Sequence, residues 1–141
     1  MNRKRGKVVI LDDDPGILHM LQGMLLSGYA RTHLIDVETF TSGAEALLHL
    51  DGASVVVTDL IMWPMDGFDF ILDARRICPE AKFIVFSAFF DHDSEIDIIN
   101  LSGDEPVSPH EFTSVIYKTD YKQLIDQIIA EVPQRPLCAK P

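Results

Sequence analysis

Four aspartates follow two hydrophobic runs: Val8-Val9-Ile10-Leu11 leads into Asp12-Asp13-Asp14, and Val55-Val56-Val57-Thr58 leads into Asp59. A third run, Phe83-Ile84-Val85-Phe86, stops at Ser87, and Lys118 closes a fourth apolar segment. Carboxylates crowded into one partly dehydrated crevice cannot all stay ionised unless a cation neutralises them. An all-oxygen donor set is hard and suits Mg²⁺ that keeps several waters. An aspartate beside such a metal can act as a nucleophile toward a phosphoryl group. Taken singly, Asp14 is a helix cap, Asp59 and Ser87 are strand-end residues, and Lys118 is a solvated lysine. Their joint occurrence at four strand ends makes a site the better reading.

The runs that precede these residues are short, β-branched and aromatic, and bounded by turn residues. Such runs read as buried strands of a parallel sheet, whose ligands bind just outside the carboxyl ends. Asp14 and Pro15 open a first helix with Ile17, Leu18, Leu21, Met24 and Leu25 on one face, ended by Gly28. A second strand is expected within residues 34–40. Ser42 and Glu45 then form a capping box for a helix running through Leu47, Leu48 and Leu50. The third strand covers residues 53–58. Residues 60–67 form a loop, after which Asp66 and Asp69 start a helix that ends near Pro79.

Strand four covers residues 82–87, and Ser94 caps a fourth helix carrying Ile96, Ile98, Ile99 and Leu101. Residues 103–110, with Pro106 and Pro109, read as a long loop, and residues 113–117 have the β-branched content of a fifth strand. Ser108-Pro-His-Glu111 is also a helix-start signature that competes with this reading. Asp120 and Gln123 open a last helix with Leu124, Ile125, Ile128, Ile129 and Val132 on one face. The repeated βα order implies right-handed crossovers and a three-layer α/β/α sandwich. One domain over residues 1–132, an insertion near 103–112 and a flexible tail over 133–141 are expected.

At 141 residues the chain is long enough for one core, and its formal charge of −10 argues against direct nucleic-acid binding. No stretch approaches a membrane span, and the four apolar residues after the basic start are too few for a signal-peptide core. Cys78 and Cys138 have no metal or redox spacing and fit a reducing, cytoplasmic setting. The five histidines are scattered without ligand spacing.

The acidic pair after strand one, the aspartate after strand three, the serine after strand four and the lysine after strand five match one family in order. Asp59-x-x-Met62 followed by Met65-Asp66-Gly67 adds to the match. The chain resembles the receiver domain of two-component response regulators, the CheY-like fold, over nearly its whole length. The resemblance implies a five-stranded parallel sheet in flavodoxin-like order 2-1-3-4-5 with helices on both faces. It implies that Asp59 accepts a phosphoryl group from a sensor histidine kinase or a histidine phosphotransfer protein, with Mg²⁺ as cofactor. Asp13, Asp59 and the Ile61 backbone carbonyl would hold the metal, and Asp12 would orient a metal-bound water. Lys118 and the Ser87 hydroxyl would contact the phosphoryl oxygens. Self-catalysed turnover of this kind is only marginally enzymatic. Output would go to a downstream protein target, or to a homodimer formed through the fourth helix, fifth strand and last helix.

Several positions depart from the family pattern. Trp63 separates Met62 from Pro64, where receivers place proline directly after the methionine. Thr119 follows Lys118 where they have a cis proline, and a cis bond without proline costs roughly 3 kcal/mol, so a trans bond is expected. The switch aromatic is replaced by Val115, and Tyr117 is expected on the opposite face. Ile61 and Phe89 occupy positions flanking the phosphoryl group, where two apolar side chains would slow hydrolysis. Two other functions fit the sequence. Beside the leading reading of a stand-alone receiver, one is a phosphorylation-independent interaction module that keeps the acidic pocket while its inserted loop carries binding. The other is an aspartyl-nucleophile phosphatase of the haloacid-dehalogenase kind, for which 141 residues leave no cap domain.

Overall fold

The computed structural model describes residues 6–27, 35–88 and 114–132. The elements run β1 (Gly6–Leu11), α1 (Pro15–Leu26), β2 (Ile35–Phe40), α2 (Gly43–Leu47), β3 (Ala53–Thr58), α3 (Gly67–Ile77), β4 (Lys82–Ser87), β5 (Ser114–Tyr117) and α4 (Tyr121–Glu131). All strand pairings are parallel, in the order β2-β1-β3-β4-β5. The expected fold class and strand order are therefore both present.

The continuous apolar runs are explained by burial on both faces of the sheet. Successive strand residues point to opposite sides. Val9, Leu11, Val56, Phe83 and Val85 pack with Phe70, Ile71 and Ala74 of α3 and Ala46 of α2. Val8, Ile10, Val55, Val57, Ile84, Phe86 and Ile116 pack with Leu18, Leu21 and Leu25 of α1 and Leu124, Ile125 and Ile128 of α4. Each fully buried aliphatic or aromatic side chain contributes about 1.5–3 kcal/mol relative to exposure, so the two layers together fix the sheet between the helices.

Helix starts are set by side-chain caps that replace missing backbone acceptors. Asp14 accepts from the Gly16 amide at 2.8 Å, Ser42 from Glu45 at 3.3 Å, Asp66 from Asp69 at 2.9 Å and Asp120 from Gln123 at 3.1 Å. All four caps were legible as motifs. The end of α2 was not: the helix stops at Leu47, leaving Leu48 exposed, while Leu50 turns back into the core. Leu50 is buried by the turn into β3, where its carbonyl accepts from the Ala53 amide at 2.9 Å.

Tyr117 also differs from expectation. Val115 packs against the α2/α3 core and Ile116 enters the α1/α4 core. The two-residue period then returns Tyr117 to the side of Val115, not the opposite one. The Gly28 helix end, the predicted helix around 96–101, the 103–112 insertion, Phe89 and the 133–141 tail lie outside the described residues.

Candidate functional site

Register places the chemistry-bearing residues at one sheet edge. Leu11 pairs with Thr58, and Thr58 with Val85. The Asp59 amide donates to the Leu11 carbonyl at 3.2 Å, and the Asp12 amide donates to the Phe40 carbonyl at 3.1 Å. These bonds extend the ladders one step past the strands, so Asp12 and Asp59 leave β1 and β3 side by side. On the other side, Ser87 pairs with Tyr117, and the Lys118 amide donates to the Ser87 carbonyl at 3.0 Å.

The three groups meet at the Lys118 ammonium. Its Nζ lies 2.7 Å from Asp12 Oδ2 and 2.6 Å from Asp59 Oδ2. The other carboxylate oxygens are held by backbone: Asp12 Oδ1 accepts from the Asp14 amide at 2.9 Å, and Asp59 Oδ1 from the Leu60 amide at 2.7 Å. Asp12 and Asp59 are only 2 % and 5 % exposed. A buried charge needs such compensation, because desolvation of an unpaired carboxylate is expensive.

Burial raises the Asp12 carboxyl above its ordinary range, and its hydrogen bonds from Lys118 and the Asp14 amide only partly oppose this. For Lys118, burial works to lower the ammonium, yet the hydrogen bonds to Asp12 and Asp59 outweigh it and the net shift is upward. Lys118 is thus held charged between two carboxylates.

Asp13 is exposed beside this pair. One carboxylate oxygen from each of Asp12, Asp13 and Asp59 falls within 4.8 Å of the others. Three hard oxygens at that spacing, one on a solvent-facing residue, fit a small divalent ion that retains waters. Ile61 follows two residues after Asp59 and its side chain is half-exposed. Ser87 is fully buried at the end of β4, brought next to Lys118 by the backbone bond.

The loop after Asp59 carries a cis peptide between Trp63 and Pro64, the only one among the described residues. The Lys118–Thr119 bond is accordingly trans, and Lys118 reaches the aspartates without a cis turn. Trp63 is 85 % exposed. Cys78 donates to the Ala74 carbonyl at 3.3 Å, and burial pushes its thiol up, so it serves packing. Among the described residues, no helix is long and apolar enough to cross a membrane.

Two residues beside Asp59 escaped the sequence reading as site residues. The Thr58 hydroxyl donates to the Asp59 carbonyl at 2.8 Å, and Gly67 packs against the same peptide. The one signal for Thr58 is a hydroxyl ending an otherwise all-valine run.

No family model matches the chain. Two curated relatives, the transcriptional regulatory proteins GlrR of Escherichia coli K12 and QseF of Escherichia coli O157:H7, are each 34% identical over 91 residues, or 62% of this chain. The matched region is 19% of each relative, so the chain spans about a fifth of their length. Among solved structures, the signal receiver domain of an HD domain-containing protein from Pseudomonas fluorescens Pf-5 aligns with a TM-score of 0.71 at 18% identity, covering 91% of this chain and 94% of that one. The chemotaxis protein CheY4 of Vibrio cholerae aligns at 0.69 and 20% identity, covering 92% and 100%. The CheY-like receiver domain protein from Methanospirillum hungatei JF-1 aligns at 0.66 and 18%, covering 91% and 96%.

Proposed function

We propose, from the premise that this chain has the fold of the CheY-like response regulator receiver domains, that it accepts a phosphoryl group on Asp59 from a phosphohistidine. The donor's phosphorus–nitrogen bond breaks as a phosphorus–oxygen bond to the Asp59 carboxylate forms, releasing imidazole to the donor protein. Such transfer asks little covalent chemistry of the protein beyond alignment and charge neutralisation. The observation that carries this reading is the Lys118 ammonium shared between Asp12 and Asp59 at 2.7 and 2.6 Å.

Each residue has a role that follows from its place. The Leu60 amide fixes Asp59 Oδ1, which sets the direction in which Oδ2 is presented. Lys118 neutralises charge developing on the phosphoryl oxygens. Ser87 supplies a hydroxyl to them when β4 and β5 shift together. Asp13, Asp59 and the Ile61 carbonyl would hold Mg²⁺, with Asp12 orienting a water on it; the spacing of the three carboxylates supports this set. Bound there, Mg²⁺ would neutralise both the carboxylates and the incoming phosphoryl group.

Phosphorylation adds about −1.5 to −2 charge at Asp59, which favours conformations that draw Ser87 and Lys118 inward and shifts a pre-existing equilibrium. The changed surface would include β5 and α4 and would act on a downstream protein or a second copy of the chain. The donor would be a sensor histidine kinase or a histidine phosphotransfer protein in the cytoplasm.

Intact mass after acetyl phosphate treatment tests the reading. A gain of one phosphoryl group that needs Mg²⁺ and vanishes in Asp59→Asn is the expected result; no gain under any condition overturns it. One observation favours a phosphorylation-independent module instead. All four carboxylate oxygens of Asp12 and Asp59 already accept from Lys118 or a backbone amide, so their hydrogen bonds are satisfied without phosphate. Such a module would bind its partner equally well as Asp59→Asn.

A further inference from the structure

We infer that the Asp59 backbone carbonyl is clamped between the Thr58 hydroxyl and Gly67, and that these two residues are positioning residues for the phosphoacceptor; the inference rests on the reading of Asp59 given above. Alternation along β3 puts Thr58 on the side of Val56, the face covered by α2 and α3. There its hydroxyl, fully buried, donates to the Asp59 carbonyl at 2.8 Å. Gly67, the first residue of α3, closes on the same peptide, and its amide donates to the Leu60 carbonyl at 2.8 Å. A β-carbon at position 67 would overlap the Asp59 carbonyl oxygen and stand 2.7 Å from Leu60 Cα. Backbone atoms cannot yield as a flexible side chain would.

The clamp matters because the same peptide aims the carboxylate. Once the Asp59 carbonyl is fixed, the Leu60 amide is fixed with it, and that amide holds Asp59 Oδ1 at 2.7 Å. The Ile61 carbonyl follows two peptides later. Turning the Asp59–Leu60 peptide would therefore rotate the carboxylate away from Lys118 and carry the Ile61 carbonyl with it. A misplacement of about 1 Å at a reacting group can cost on the order of a hundredfold in rate.

The test compares Thr58→Val, which removes the hydroxyl, with Thr58→Ser, which keeps it. Two readings are taken: the initial rate of acetyl phosphate uptake at saturating Mg²⁺, and the amide proton shift of Leu60, which reports its bond to Asp59 Oδ1. Thr58→Val should slow uptake about tenfold or more and move the Leu60 amide upfield, while Thr58→Ser restores both. Gly67→Ala should lose more, whereas Gly43→Ala, whose β-carbon has flexible Met65 side-chain atoms as its three nearest neighbours, should not. If Gly67→Ala fails to fold, the Thr58 pair decides. A wild-type rate in Thr58→Val, a loss shared by Thr58→Ser, or an unmoved Leu60 amide overturns the clamp whatever the melting temperatures. If the wild type takes up no phosphoryl group, the receiver reading falls and the Leu60 amide alone judges the clamp.

Discussion

Lys118 and Asp59 are 59 residues apart in the chain, yet the lysine Nζ lies 2.6 Å from the aspartate Oδ2. The same ammonium binds Asp12, so one cation occupies the space between two carboxylates that also belong to the candidate metal set.

Removing that cation should tighten divalent metal binding. Two unit charges about 4 Å apart interact by roughly 4 kcal/mol at an effective dielectric near 20. Even a quarter of this, about 1 kcal/mol, corresponds to roughly fivefold in affinity. Lys118→Met should therefore bind Mg²⁺ at least fivefold more tightly in calorimetric titration, while phosphoryl uptake falls. Unchanged affinity would mean that the lysine and the metal do not compete for the pocket.

Asp12→Asn should stabilise the fold at neutral pH. Burial raises the Asp12 carboxyl in the folded state, so its protonated form favours folding and its ionised form opposes it. The favourable contribution is fully present below the unfolded value of 3.8 and is lost as pH rises through the raised folded value. At pH 7 the wild type carries the cost and the amide does not. Melting scans at pH 7 and at pH 3.5 should therefore show a rise that shrinks in acid.

Lys118 has a window of the same sense, placed at alkaline pH. Its net upward shift contributes stability that is present below 10.5 and lost as pH rises past the folded value. Urea unfolding from pH 8 to 11.5 should show an alkaline decline that Lys118→Met lacks.

Ile61→Asn should shorten the lifetime of phosphorylated Asp59. Ile61 is 49 % exposed two residues after Asp59, the proposed phosphoacceptor, where an apolar side chain restricts the approach of water and an amide can orient it. Decay of the phosphorylated mass after removal of acetyl phosphate should be several-fold faster. An unchanged half-life would remove Ile61 from the control of hydrolysis.

Trp63→Ala should be nearly silent in the isolated protein. At 85 % exposed, Trp63 buries little, so urea unfolding should stay within about 0.5 kcal/mol of wild type, and uptake from acetyl phosphate should be unchanged. A tryptophan so exposed in the loop after Asp59 is suited to contact with the proposed protein donor, and the loss should appear only with such a donor.

The sequence by itself determined the elements and their order, because the signals involved are local. Four capping side chains lie within three residues of the amides they satisfy, and two-sided burial builds β1, β3 and β4 around unbroken apolar runs. Strand-end placement also marked Asp12, Asp13, Asp59, Ser87 and Lys118 as candidates for one crevice, and the structure brings Lys118 onto Asp12 and Asp59 with Asp13 beside them. The exit of α2 at Leu47 was not legible, since Leu48 and Leu50 are equally apolar and only the turn into β3 decides which one is buried. The side taken by Tyr117 was settled by which core Val115 and Ile116 enter. Tertiary structure alone decided that Lys118 bridges Asp12 and Asp59, and that Gly67 meets the Asp59 carbonyl. Such contacts depend on the close approach of segments distant in sequence, and they are fixed by sheet register and helix packing, which no local pattern encodes.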